Sequence, residues 1–216
     1  MANSSPVARK VLVLGASGGT GRLVVADALS RGHQVTALVR SPDKVDLKGA
    51  RIVAGDARDE ASLRNALAGQ DAVVSALGTP ASPFREVTTL SSATRALIAA
   101  MKAESVSRLV AITGIGAGNS AGHGGFLFDR LIFPLLLARV YADKNRQEAL
   151  IRNSALDWVL VRPAVLNNKP GRGSVRAIED LSGFHGGTIA REDVARFVVD
   201  QVADDTWVGR APLIAW

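Results

Sequence analysis

The sharpest chemical signal in the chain is Gly15-Ala16-Ser17-Gly18-Gly19-Thr20-Gly21, with glycines spaced Gly-x-x-Gly-x-x-Gly. Bare main chain at these positions suits a diphosphate. Gly15 permits a tight exit from a strand, Gly18 lets the backbone approach an anion, and Gly21 lets a helix pack close to a sheet. Exposed N–H groups around Ser17, Gly19 and Thr20, together with the positive end of a helix dipole, would then attract the phosphates. Glycines also make ordinary turns, so this reading requires a strand before the loop and a helix after it.

A second signal is Arg40, in Leu38-Val39-Arg40-Ser41. A dinucleotide site that prefers NAD carries an acidic side chain at the end of its second strand, where it accepts from the adenosine ribose. A carboxylate there repels a 2′-phosphate, whereas a guanidinium pairs with it through charge-assisted hydrogen bonds. The expected cofactor is therefore NADP(H), preferred over NAD(H). Arg22 and Lys44 could add positive potential, although a solvated surface cation is the commoner role for each. Asp56 could accept from an adenine amino group while Ala57 packs on the ring, or Asp56 could simply make a turn. Leu77-Gly78-Thr79 would follow the fourth strand, where open α/β sheets keep their ligand crevice.

The elements needed to position these residues are legible around them. Val11-Leu12-Val13-Leu14 is an unbroken apolar run stopped by Gly15, as in a strand buried on both faces. Leu23, Val24, Ala28 and Leu29 then have the spacing of one helical face. Further strands are expected at 34–39, 51–54, 71–75, 108–112 and 157–162. Asp59 would cap a helix through Ala68, and Leu90, Leu97 and Met101 share a face of a longer one. This alternation predicts an α/β fold of the Rossmann type: a doubly wound, mainly parallel sheet with helices on both faces.

Beyond Thr113 the regularity breaks. Residues 114–125 hold six glycines in twelve positions and read as a loop. Residues 126–140 form an apolar helical stretch, expected to bend or break at Pro134. It reads as core or as a lid first, and as an oligomer contact second, with 114–125 as its hinge. A helix at 141–153, a strand at 174–178, a helix at 191–202 and a last strand at 212–215 complete the chain. One domain, 1–216, is expected, with residues 114–216 supplying the substrate side.

The spacing of the glycine loop resembles that of extended and atypical short-chain dehydrogenase/reductases. Gly55-Asp56, Leu77-Gly78-Thr79, Lys144-x-x-x-Glu148 and Val161-Arg162-Pro163 extend the resemblance over nearly the whole chain. It is strongest to the NAD(P)H-binding, NmrA-like branch of small reductases, the biliverdin reductase B and flavin reductase type. In the larger reductase family a Tyr-x-x-x-Lys pair commonly supplies a proton donor and the lysine that lowers its pKa. Here the sole tyrosine, Tyr141, stands three residues before Lys144 rather than four. Residues i and i+3 still share a side of a helix. The resemblance implies that Lys144 contacts the nicotinamide ribose or polarises a substrate. Otherwise it is an exposed lysine paired with Glu148, worth only ~0.3 kcal/mol. It further implies that Thr113 faces the nicotinamide or a substrate carbonyl, and that Pro163 lines the same end through its backbone. Arg162 would serve equally well in a structural ion pair. Lys144, Thr113 and Tyr141 are thus the candidate catalytic residues.

Composition removes other classes. The chain of 216 residues has no cysteine and three histidines, His33, His123 and His185, so disulfides, thiolate metal sites and a thiol nucleophile are excluded and a histidine-built metal centre is not expected. Ser17 lies outside any Gly-x-Ser-x-Gly elbow, which disfavours hydrolysis. A net charge of +6 without a block of like charges suits a small anionic ligand rather than nucleic acid. Residues 1–10 lack the apolar run of a signal peptide and no stretch is fit to span a bilayer, so a cytoplasmic monomer or homodimer is expected. The expectation is an NADPH-dependent reductase passing hydride to a small conjugated, quinone-like or flavin acceptor. The alternative is an NADP-sensing binding protein without catalysis. A sugar-nucleotide epimerase is disfavoured by the missing Tyr-x-x-x-Lys.

Overall fold

The apolar run after Lys10 becomes β1 (Lys10–Leu14), and its alternation of faces organises the core. Val11 and Val13 join one apolar cluster with Val24, Ala28, Val194 and Val198. Leu12 and Leu14 join another with Leu63, Leu67, Leu97 and Met101. A strand buried on both faces therefore needs helices on both, and the chain supplies them. The computed structural model describes residues 8–82 and 84–216, with Phe128 described by its backbone alone. Most of the 1–10 stretch read for a targeting signal lies outside the described residues.

The strands are β2 (Gln34–Val39), β3 (Arg51–Ala54), β4 (Ala72–Ser75), β5 (Arg108–Ile112), β6 (Asp157–Pro163), β7 (Val165–Asn167), β8 (Arg176–Ile178), β9 (Thr188–Ala190) and β10 (Leu213–Ala215). The main sheet runs β3-β2-β1-β4-β5-β6-β10-β8. Every pairing in it is parallel except that of β10 with the edge strand β8. A separate parallel pair, β7 with β9, sits beside it. The helices are α1 (Gly19–Ser30), α2 (Glu60–Leu67), α3 (Thr89–Ala103), α4 (Ala138–Arg152) and α5 (Arg191–Asp200). The expected Rossmann-type α/β architecture is the one observed.

Two local devices matter for the site. Asp59 accepts from the backbone N–H of Ser62 at 2.9 Å and starts α2, as its position predicts. The start of α3 has no cap of its own; instead the buried Asp143, on α4, accepts from Leu90 N–H at 2.8 Å. That bond fixes the end of α3 that borders the cleft described below.

Residues 126–140 correct an expectation. The chain does not break at Pro134 but winds as a π-helical segment, Phe128–Leu137, straight into α4. A wider turn is one way to accommodate a proline ring and its missing N–H. Nor is the segment core. Phe126, Leu127, Leu131, Leu135 and Leu136 are all exposed, because the segment offers apolar side chains all round and only one side of it meets the domain.

Candidate cofactor and substrate site

The carboxyl ends of the first four strands open onto a cleft of about 560 Å³. It lies where the strand order reverses, between β1 and β4, the position at which open α/β sheets bind ligands. Gly15, Ser17, Gly18, Gly19 and Thr20 form one wall, with Arg40, Asp56, Ala57 and Arg58 at one end and Leu77, Gly78 and Thr79 opposite.

The glycines divide by job. Gly15 has φ +76°, and a Cβ there would stand 2.5 Å from the Ala76 carbonyl oxygen. A Cβ on Gly21 would come within 2.1 Å of the Gly15 oxygen. These two are packing requirements, and Gly21 does not border the cleft. Gly18 closes the loop by donating to the Gly15 carbonyl at 3.0 Å. Gly78 has open space where a side chain would be. Helix α1 starts without a side-chain cap and without an acid in its first turn. Its first N–H groups therefore remain for a ligand or solvent. An uncapped helix start, a bare backbone wall and open space facing it fit a dinucleotide diphosphate.

At the end of the cleft lined by Arg40, Asp56 and Ala57, the carboxylate already has a partner. Asp56 lies in the cleft, but its carboxylate is engaged by Arg58, whose Nη2 donates at 2.6 Å and whose backbone N–H donates at 2.9 Å. The Arg58 side chain first, then its backbone N–H, holds the Asp56 carboxyl down at about 2. Arg40 lines the same end, so two guanidinium groups stand there against one carboxylate. Arg22 stands outside the cleft: its Nε donates to the Ser17 carbonyl at 3.1 Å, and it borders a shallow depression with Val25 and Leu47. Lys44 is exposed on a short 3₁₀ turn and does not line the cleft.

Further along the same sheet edge is a buried polar node. Thr113 follows β5, and its hydroxyl donates to Glu148 Oε1 at 2.8 Å. Its carbonyl accepts from Lys144 Nζ at 2.7 Å. Glu148 is not a surface partner of Lys144; it is buried and clamped by Arg162, with Nε to Oε1 at 2.9 Å and Nη2 to Oε2 at 2.5 Å. Arg162 also donates to Asn119, so its guanidinium joins the Glu148 ion pair to the 114–125 loop. A Cβ placed on Gly114 would stand 3.2 Å from Lys144 Nζ, 3.4 Å from Tyr141 Oη and 4.0 Å from the Pro163 oxygen. The fold thus gathers Lys144, Tyr141, Thr113 and Pro163 around one bare main-chain position.

Burial lowers the Lys144 amine to about 8, against an opposing pull from Glu148. Burial raises the Tyr141 phenol to about 12. Its ring packs on Phe133 at 4.9 Å and under the Lys144 ammonium at 4.6 Å. A phenol held high keeps its proton, the reverse of the activated tyrosine that the family pair implies. His123 stacks on His185 with ring centroids 6.0 Å apart, joining the 114–125 loop to the loop before β9.

Sequence reasoning missed Arg58 and Arg191, both of which line the cleft. Arg58 was findable, since it lies two residues from Asp56. Arg191 was not, because it reaches the glycine loop from the far end of the chain. Among the described residues there is no group of three or more metal-ligating side chains, and no helix is long and apolar enough to cross a membrane.

Comparison with known proteins agrees with this geometry. The uncharacterized sugar epimerase YhfK of Bacillus subtilis is 30% identical over 210 residues, spanning 94% of this chain and 92% of that protein. Among solved structures, the anaerobilin reductase ChuY of Escherichia coli O157:H7 has a TM-score of 0.81 at 22% identity, covering 95% of this chain and 96% of ChuY. A wide-type short-chain dehydrogenase/reductase from Veillonella parvula, in complex with NADP, has a TM-score of 0.78 at 17% identity, covering 96% and 94%. Both likenesses show the shared fold. The model of the NAD(P)H-binding family matches residues 15–205, and the chain belongs to that family.

Proposed function

We propose that this protein is an NADP(H)-dependent reductase whose acceptor is a small conjugated molecule, quinone-like, flavin-like or a linear tetrapyrrole. The observation that carries the cofactor preference is the pair of guanidinium groups, Arg40 and Arg58, at the adenosine end of the cleft. Arg40 occupies the place where an NAD site would carry a carboxylate, and Arg58 neutralises the nearby one. A 2′-phosphate fits this end better than a free ribose hydroxyl.

Bound there, the dinucleotide would supply a hydride. Ser17, Gly19 and Thr20 would hold its diphosphate, Ala57 and Arg58 its adenine, and Gly78 and Thr79 its middle. Lys144 would contact the nicotinamide ribose or the acceptor, held in place by its bond to the Thr113 carbonyl. The Thr113 hydroxyl is already directed at Glu148, and Tyr141 keeps its proton. An acceptor that takes hydride into a conjugated system, with its proton drawn from solvent, suits such a site better than an alcohol or ketone. The fold shared with ChuY, an anaerobilin reductase, is compatible with reductase chemistry.

The experiment is NADPH oxidation with a panel of flavins, quinones and linear tetrapyrroles. The expected result is turnover with at least one conjugated acceptor, strongly reduced in Lys144→Met. Tight NADPH binding with no turnover across the panel would instead favour a cofactor sensor, the role to which the mutual engagement of Thr113, Glu148 and Lys144 also lends itself.

A further inference from the structure

Arg191 is the first residue of α5, placed there by the β7–β9 pair. A cation at the first position of a helix opposes the helix dipole, so its place calls for another reason. The acids that follow it are occupied elsewhere. Glu192 accepts from Gly171 N–H and from Arg196, and Asp193 from Arg172 N–H and Trp216 Nε1. Arg191 turns away from both. Its Cδ and Nε lie 3.4 Å from where a Cβ on Gly19 would stand, and its Nη1 donates to the neutral Asn168 Oδ1 at 2.6 Å. Among the described residues no carboxylate forms an ion pair with it.

Helices α1 and α5 lie side by side and run in the same direction. Gly19 meets Arg191 at one end, while Arg31 reaches the Arg196 carbonyl and Asp200 at the other. Two positive helix ends and a guanidinium without a counter-charge therefore converge on one wall of the cleft. We infer that Arg191 is a diphosphate ligand, contributed by the substrate half of the chain, that completes the phosphate site beside the glycine loop at Gly19. The inference rests on the cleft holding a dinucleotide. Asn168 is the resting partner from which the guanidinium turns, and Gly19 carries no side chain to screen it from the anion. Because Arg191 leads α5 and its partner follows β7, binding at the diphosphate would also tie down the two short strands that border the substrate side.

The test is calorimetric titration of the full chain, Arg191→Ala and Arg191→Lys with three probes: NADP+, ADP and adenosine 2′-monophosphate. Only the first two carry a diphosphate. Arg191→Ala is expected to weaken NADP+ and ADP by about tenfold while leaving adenosine 2′-monophosphate within about twofold, and Arg191→Lys to recover part of the loss. Should the alanine variant fail to fold, Arg191→Gln, which can still donate to Asn168, is expected to show the same split. Unchanged NADP+ binding in Arg191→Ala, or an equal loss for all three probes, overturns the assignment. Wild-type protein that binds none of the three overturns the dinucleotide reading together with it.

Discussion

Two arginine–carboxylate pairs, one lining the cleft and one in the buried node further along the sheet edge, contrast in their exposure. At the Arg40 end of the cleft the Arg58 and Asp56 side chains are 55% and 36% exposed. In the buried node those of Arg162 and Glu148 are 2% and 3% exposed. An exposed pair contributes little to stability and is easily exchanged for a ligand. A buried pair is costly to break, because removing one partner strands the other's charge in a medium that cannot solvate it. The first arrangement leaves a guanidinium available to a phosphate. The second fixes Thr113, and through the Thr113 carbonyl it fixes Lys144. Charge can be exchanged at the first pair and cannot at the second.

The largest expected effect breaks the buried member. Glu148→Ala should lower stability by about 3–5 kcal/mol, whereas Arg58→Ala should leave it nearly unchanged. Urea denaturation of both variants measures the contrast; equal losses would erase it. Next in size is ligand choice. Arg40→Asp should weaken NADPH binding by about thirty- to a hundredfold while leaving NADH within a few-fold. A parallel loss of both would mean that Arg40 serves the backbone of the cleft and not the 2′-phosphate.

A third effect is pH-dependent. With the Lys144 amine near 8, turnover should fall as pH rises through about 8, and Lys144→Met should lose that inflection. The stability counterpart has a definite sign. An unfolded lysine keeps its proton to higher pH than the folded one, so burial of the ammonium destabilises the fold most below pH 8. That penalty is relieved as pH climbs from 8 towards the ordinary lysine range. Wild type should therefore gain stability relative to Lys144→Met across that window. The smallest effect concerns the apolar segment. If residues 114–125 act as its hinge, NADPH should slow limited proteolysis there, and unchanged cleavage would count against a lid.

What could be read from the sequence follows the same divide. The apolar run of β1, the cap at Asp59 and the glycine spacing are local patterns, and local patterns carry their own physics. They led to the fold class and to the wall of the cleft. The buried node around Glu148 depends on contacts between residues far apart in sequence. Lys144 and Glu148 looked like a surface pair because i,i+4 spacing gives a helix face but not what covers that face. Glu148 is buried by Arg162, on another element. The strands β7 and β9, three residues each, are too short to show periodicity, and they are what brings Arg191 to Gly19. Residues 126–140 misled in another way: an apolar composition all round suggests burial, but among the described residues nothing covers Leu127, Leu131, Leu135 and Leu136.

The most direct test of the central claim is a paired calorimetric titration of the unmodified protein with NADPH and with NADH at one fixed salt concentration. Two guanidinium groups set against one carboxylate at the Arg40 end of the cleft predict that NADPH binds at least about tenfold more tightly. Equal affinities, or no heat with either, would contradict it.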